Sequence, residues 1–309
     1  ALPALVLISR SDIEKSAALG IIQPIQELDS VFGDDDWFTI AEKMSKVHDE
    51  VYGLPFVSDA IGLIQQSNSV GSAYVPLANI AEKTPAIHFS AGSPDTLVPL
   101  MYYQSIGGMF TDDMGNVWMD EPLLNDMFVS FRTYRELGIF PKTLVNYQSD
   151  EQLRNAFNTN QIENMISWIS LSQADGIDFS ISPVPNFGTR AFTYADGYVW
   201  CLVVQKTNAL EPSVLFIEHM SDPDFLAEWT PTTKYLPVRP SSLVGWIEPK
   251  RESLQTILES AELLPGEMVP GSIKSDMIKE VQNIILGIKS PEESTFAIIE
   301  KLSEDLVNE

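Results

Sequence analysis

Apolar positions along this chain alternate between short continuous runs and helical spacing. Residues 5–8, Leu-Val-Leu-Ile, form a continuous run of the kind buried in a parallel sheet. Ser11-Asp12-Ile13-Glu14 follows as a capping-box pattern that opens a helix halted at Gly20, which makes a βα unit. Asp34-Asp35-Asp36 precede an amphipathic segment reaching about residue 47; acids there complement a helix dipole, so the triplet reads as a cap. Tyr52-Gly53-Leu54-Pro55-Phe56 leads into an extended stretch at 57–64, and the small, polar residues 67–73 read as a loop. A helix over 96–106 stops at Gly107-Gly108, and residues 111–116 have the wrong spacing for a calcium loop and read as a turn.

The second half continues the alternation. Residues 121–137 carry Leu123, Leu124, Met127, Phe128, Phe131 and Tyr134 at helical spacing and are closed by Gly138. A helix over 149–158 precedes strands at 164–168, at 179–185, where prolines end it, and at 198–204. Helices are then expected at 212–220, 222–229, 249–261, 274–286 and 291–306. The last has Ser290 as N-cap, Pro291 at its first turn and Glu293 completing a capping box. The fold class is α/β, and 309 residues exceed what one hydrophobic core of roughly 250–300 residues holds, so two lobes are expected.

Composition narrows the function. Forty-three acidic against 19 basic residues give a net charge of −24, with no basic stripe for a nucleic-acid backbone. A single cysteine, Cys201, set in Trp-Cys-Leu-Val-Val, excludes an internal disulfide and reads as a buried strand residue. No stretch approaches the roughly 20 apolar residues of a membrane span, and residues 1–8 lack the basic flank and full apolar length of a signal peptide.

Catalytic constellations are scarce. His48, His88 and His219 have no partner at metal-ligand spacing, and His48 and His219 fall inside expected helices. Nucleophile-elbow, P-loop and dinucleotide fingerprints are missing, and no cofactor is implied. Aromatic residues do stand beside polar ones in expected strand-end loops: Trp168 after Met165-Ile166-Ser167, and Tyr194, Tyr198 and Trp200 around Asp196-Gly197. Aromatic faces stack on the C–H-rich faces of sugar rings, while Asp, Asn and Ser bond hydroxyls.

Seven segments, in order along the chain, resemble those of the maltose-binding-protein-like extracellular solute-binding proteins, family 1, of sugar ABC importers. They are Pro3-Ala4-Leu5-Val6-Leu7-Ile8 with Leu19-Gly20-Ile21-Ile22-Gln23-Pro24; Val51-Tyr52-Gly53-Leu54-Pro55-Phe56 with Asp59; and Phe157 to Trp168. Phe179-Ser180-Ile181-Ser182-Pro183-Val184-Pro185 after Ile177-Asp178, Thr193 to Trp200, Phe216 to Pro223, and Leu236-Pro237-Val238-Arg239 complete the series.

The resemblance implies two α/β lobes of the type II periplasmic-binding-protein fold, joined by crossing strands that close on a ligand by hinge motion. The N-lobe is expected at 1–57 plus 187–240 and the C-lobe at 58–186 plus 241–309. It implies a sugar-contacting acid at Asp59, a stacking aromatic at Trp168, Tyr198 where tryptophan is common, and a cleft-lining Ser93. Tyr194, Gly197 and Trp200 complete the expected ligand-binding set. It implies a non-enzymatic, monomeric receptor outside the cytoplasmic membrane, in the periplasm or as a cell-surface lipoprotein, with a carbohydrate ligand and with permease and ATPase subunits as partners. It also implies a strand, helix and strand ahead of the Pro3 segment, so the N-lobe is expected to be incomplete here. Two alternatives stay open: a carbohydrate-active enzyme using Asp59 with Asp196, and a ferric-ion binder using Tyr102-Tyr103, of which helical periodicity buries one.

Overall fold

The computed structural model describes residues 3–25, 31–33, 35–66, 73–81, 84–112, 114–172, 179–203, 210–264 and 271–308. Asp34, residues 67–72, Asp113, Ile177, Asp178 and Val204 of the sequence reading lie outside them. In chain order the first elements are β1 (Leu5–Ser9), α1 (Arg10–Ala18), α2 (Thr39–Ser45), β2 (Lys46–Val47), β3 (Glu50–Val51), β4 (Gly53–Gln65) and α3 (Leu77–Ile80). Then come β5 (Ile87–His88), α4 (Val98–Ser105), α5 (Glu121–Glu136), α6 (Asp150–Asn158), β6 (Asn164–Trp168), β7 (Ser180–Ser182) and β8 (Thr193–Leu202). The chain closes with α7 (Leu210–Met220), α8 (Pro223–Thr233), α9 (Glu248–Glu259), β9 (Ala261–Leu263), α10 (Gly271–Leu286) and α11 (Pro291–Asn308).

The chain divides into two compact units. Unit 1 is Ala1–Ala60, Trp168–Ser170 and Tyr194–Leu264; unit 2 is Ile61–Ser167, Leu171–Thr193 and Pro265–Glu309. The strands β4 and β8 each run through a boundary between units, as the sequence reading of crossing strands requires. The division differs from the expected one at 58–60, 168–170 and 241–264, which belong to unit 1, and at 187–193, which belongs to unit 2; the largest difference is 241–264. There the Asp36 carboxylate accepts from Ser241 N at 2.9 Å and Ser241 Oγ at 2.6 Å, and the Arg239 guanidinium lies 3.7 Å from the Trp37 ring centroid. Trp246 Nε1 donates to Thr230 Oγ1 at 3.2 Å, and α9 packs on α2. Asp36 therefore holds the start of the 3₁₀ helix Pro240–Gly245 and leaves the N-cap of α2 to Phe38. Charge near a helix start was legible; which helix it serves is decided by tertiary contact.

In unit 1, β8 is the middle strand, antiparallel both to β1 (Leu5↔Leu202, Ser9↔Tyr198) and to the first half of β4 (Leu54↔Trp200, Asp59↔Asp196). The Leu5–Ile8 run is thus not buried in a parallel sheet. It ends the strand order, pairs antiparallel, and leaves Leu7 38% exposed; an apolar run alone does not distinguish the two settings. His48 and Asp49, with φ of 49° and 70°, form the turn of the β2–β3 hairpin and not a helix.

In unit 2, the second half of β4 pairs antiparallel with β7, and β5 pairs parallel with β6. The helices α4, α5, α10 and α11 pack together, and α5 buries Leu124, Met127, Phe128 and Phe131 at the spacing its sequence shows. Tyr102, Phe131, Phe140 and Phe187 form one aromatic core, Tyr102 stacking on Phe187 at 4.4 Å. Asp112 Oδ1 accepts from Met114 N and Asn116 N at 2.9 and 2.8 Å, so this stretch is a turn. The capping box of α11 forms as read: Ser290 N donates to Glu293 Oε2 at 2.7 Å and Glu293 N to Ser290 Oγ at 3.2 Å.

Candidate functional site

The expected strand at 198–204 begins earlier: residues 193–197, expected as the loop ahead of it, belong to β8, whose body is Thr193–Leu202. It is strand because β1 and β4 pair with it on both sides, so the side chains of 194, 196, 198 and 200 share one face and those of 195, 197 and 199 the other. Gly197 is not a turn glycine. A Cβ there would lie 2.3 Å from Val57 O and 2.8 Å from Met44 Sδ, so its role is to let β4 and α2 approach.

Four expected residues separate by setting. Tyr194 is fully buried and its phenol is pushed up by desolvation, which makes it a core residue. Trp200 sits among rings, 6.2 Å from Phe56 and 5.3 Å from Phe216, a packing role. Tyr198 is 38% exposed and meets Tyr235 edge-on at 5.9 Å. Trp168, at the end of β6, is half-buried and belongs to unit 1 by the short excursion Trp168–Ser170.

Tyr235 and Ser170 were not singled out from sequence. Lys234, at φ 65°, ends α8 in the left-handed conformation, and a two-way bridge follows: Leu236 N donates to Ser58 O at 2.7 Å and Ser58 N to Leu236 O at 2.9 Å. This lays Tyr235 beside the edge of β4 one residue from Asp59; desolvation raises the Tyr235 phenol, followed by the charge and hydrogen bond of Tyr198 and, least, by the Asp59 charge. The only local hint was the tyrosine ahead of Leu236-Pro237-Val238-Arg239.

Asp59 is 9% exposed. Its Oδ1 accepts from Ala60 N at 2.9 Å and Ser170 N at 3.1 Å, and its Oδ2 from Ser170 Oγ at 2.5 Å. Burial pushes the carboxyl up to about 7, against the opposing pull of the Ser170, Ala60 and Ile169 donors. None of the ion pairs among the described residues involves it. Asp196, its strand partner, is raised by burial, with Arg10 lowering it, and accepts from Gly197 N at 2.8 Å. Each acid is thus occupied by backbone donors.

In unit 2, Ser93 is 5% exposed and its Oγ accepts from Asp95 N at 3.1 Å. Tyr102 and Tyr103 are both buried. The Tyr102 hydroxyl donates to Pro185 O at 2.9 Å, and the Tyr103 hydroxyl accepts from Asp120 N at 2.8 Å, so periodicity undercounted their burial by one. Among the described residues no group of three His, Cys, Asp or Glu is arranged to hold a metal ion, and no helix is long and apolar enough to cross a membrane.

No family profile and no curated protein matches the chain. Solved structures do. A cyclo/maltodextrin-binding protein complexed with maltotetraose is 17% identical with a TM-score of 0.76, over 98% of this chain and 82% of that one. The maltose-binding periplasmic protein MalE of Listeria monocytogenes, in complex with maltose, is 12% identical with a TM-score of 0.76, over 99% of this chain and 85% of that one. A solute-binding protein of an ABC transporter from Thermotoga lettingae, bound with α-D-tagatose, is 17% identical with a TM-score of 0.70, over 98% and 85%. At this identity the likeness concerns the fold, and it covers both units: the chain has the α/β fold of the maltose-binding-protein-like, family 1 solute-binding proteins.

Proposed function

We propose that this protein is the extracytoplasmic sugar-binding receptor of an ABC importer, a non-enzymatic monomer that delivers its ligand to permease and ATPase subunits. The observation that carries the reading is the match, over almost the whole chain, to binding proteins solved with maltotetraose, maltose and tagatose. The half-buried Trp168 and Tyr235 and the exposed Tyr198 support it, because two phenols and an indole supply stacking faces together with hydroxyl partners for a polyol. Ser93 is the ligand contact proposed for unit 2. The acidic surface suits an uncharged ligand.

Calorimetric titration with maltose, maltotetraose and tagatose tests this. Binding of at least one sugar is expected, weakened about tenfold or more by Trp168→Ala, and by Tyr198→Ala to a lesser degree. Silence toward all three from a folded chain, shown so by circular dichroism, counts against the reading.

A further inference from the structure

Trp168–Ser170 is the shortest segment of unit 1: the chain enters for three residues and leaves again. The fixing bonds of this excursion converge on Asp59. Ser170 gives the carboxylate both its N–H and its hydroxyl, and the Ile169 N–H is aimed at it as well. These donors open the 3₁₀ turn Ile169–Ser172, so the acid on β4 acts as the cap of a turn more than a hundred residues away. With Ala60 N also bound and 9% of the residue exposed, the carboxylate has little surface left for a ligand hydroxyl.

We propose that Asp59 is a positioning residue, which caps the Ile169–Ser172 turn and so fixes Trp168 as the aromatic face offered to a sugar, and that it is not itself a sugar contact. The proposal rests on the sugar-receptor reading for its ligand but not for its geometry. An ionised carboxylate grips N–H and O–H donors more tightly than a protonated one. The titratable groups set around it are Tyr235 from the segment after α8, Tyr198 against that ring, and its strand partner Asp196, which is itself under the influence of Arg10 and Asp12. Because burial holds the Asp59 carboxyl near neutrality, the hold on Trp168 tightens as pH rises from 6 to 8.

The first measurement needs no ligand. Acrylamide quenching of tryptophan emission is compared in the wild type, Asp59→Asn and Ser170→Ala, each paired with its Trp168→Phe counterpart so that the difference isolates Trp168. Both variants are expected to expose Trp168 to quencher, and Asp59→Asn to lose the pH dependence between 6 and 8. In the second, maltotetraose binding is expected to weaken about tenfold in each variant, with the double variant no worse than the weaker single. Unchanged Trp168 quenching in both variants overturns the proposal. So does loss of affinity in Asp59→Asn with full affinity in Ser170→Ala and additivity in the double, because Asp59 would then touch the sugar. If the wild type ignores maltotetraose, the affinity arm is run with maltose or tagatose; silence toward all three is the failure of the sugar reading, and the quenching result still decides the role of Asp59.

Discussion

Two buried polar side chains stand six residues apart on β4, and their surroundings solve the same problem differently. Gln65, in unit 2, is fully buried in a neutral network: Ser182 Oγ donates to its Oε1 at 3.0 Å, and its Nε2 donates to Asn164 Oδ1 at 3.2 Å. Asn164 in turn gives its Nδ2 to Pro85 O at 3.2 Å. Asp59, in unit 1, is nearly as buried, but it is an acid held by dipoles, with no ion pair among the described residues, and burial outweighs them. The amide network is satisfied at any pH. The acid is satisfied in one protonation state and desolvated at a cost in that same state, so one strand carries both an inert lock and a titratable one.

The largest expected effect breaks the comparison at Asp59. Its carboxyl lies at about 7 in the folded chain against an ordinary 3.8, so between about pH 4 and 7 the native state keeps a proton that the unfolded chain has released. Asp59 then contributes a fall in unfolding free energy as pH rises through that window, of up to about 4 kcal/mol, levelling off above it. Urea unfolding at pH 5 and pH 8 should show the drop shrinking in Asp59→Asn; an undiminished drop would place the pH dependence on other acids. Next in size, Asn164→Ala removes the acceptor of the Gln65 Nε2–H and the donor to the Pro85 carbonyl, and should cost about 2–3 kcal/mol. That loss should be equal at pH 5 and 8, whereas a pH-dependent one would mean the two regions are coupled. Smallest is Gly197→Ala, which forces Val57 and Met44 to give way and should cost about 1–2 kcal/mol of unfolding free energy, measured by urea unfolding, without altering the Asp59 slope.

Elements whose signals are local were legible in the sequence. The capping box at Ser290 and Glu293, the helically spaced apolar face of α5 and the extended stretch of β4 at 57–64 each encode their conformation within a turn or a few residues. What failed depends on partners distant in sequence. Residues 193–197 look like a loop because Asp196-Gly197 is a turn signal, yet pairing with β4 makes them strand, continuous with the expected strand from Tyr198. Asp36 looks like a cap for the next helix and serves one two hundred residues later. At the candidate site, Trp168 and Tyr198 were readable as aromatics beside polar residues. Tyr235 and Ser170 were not, since only the Ser58–Leu236 bridge and the Asp59 carboxylate give them their places.

Cys201 has a practical consequence. Its thiol is fully buried at the pairing of β8 with β1 and β4, and burial pushes it up to about 12, so at neutral pH it presents neither a thiolate nor access to a reagent. Among the described residues the native surface therefore carries no competing thiol for maleimide chemistry near neutral pH. A cysteine introduced at any exposed position would be the sole labelling point, which lets a single environment-sensitive fluorophore be attached to an otherwise unaltered chain and turns the protein into a reporter of whatever it binds.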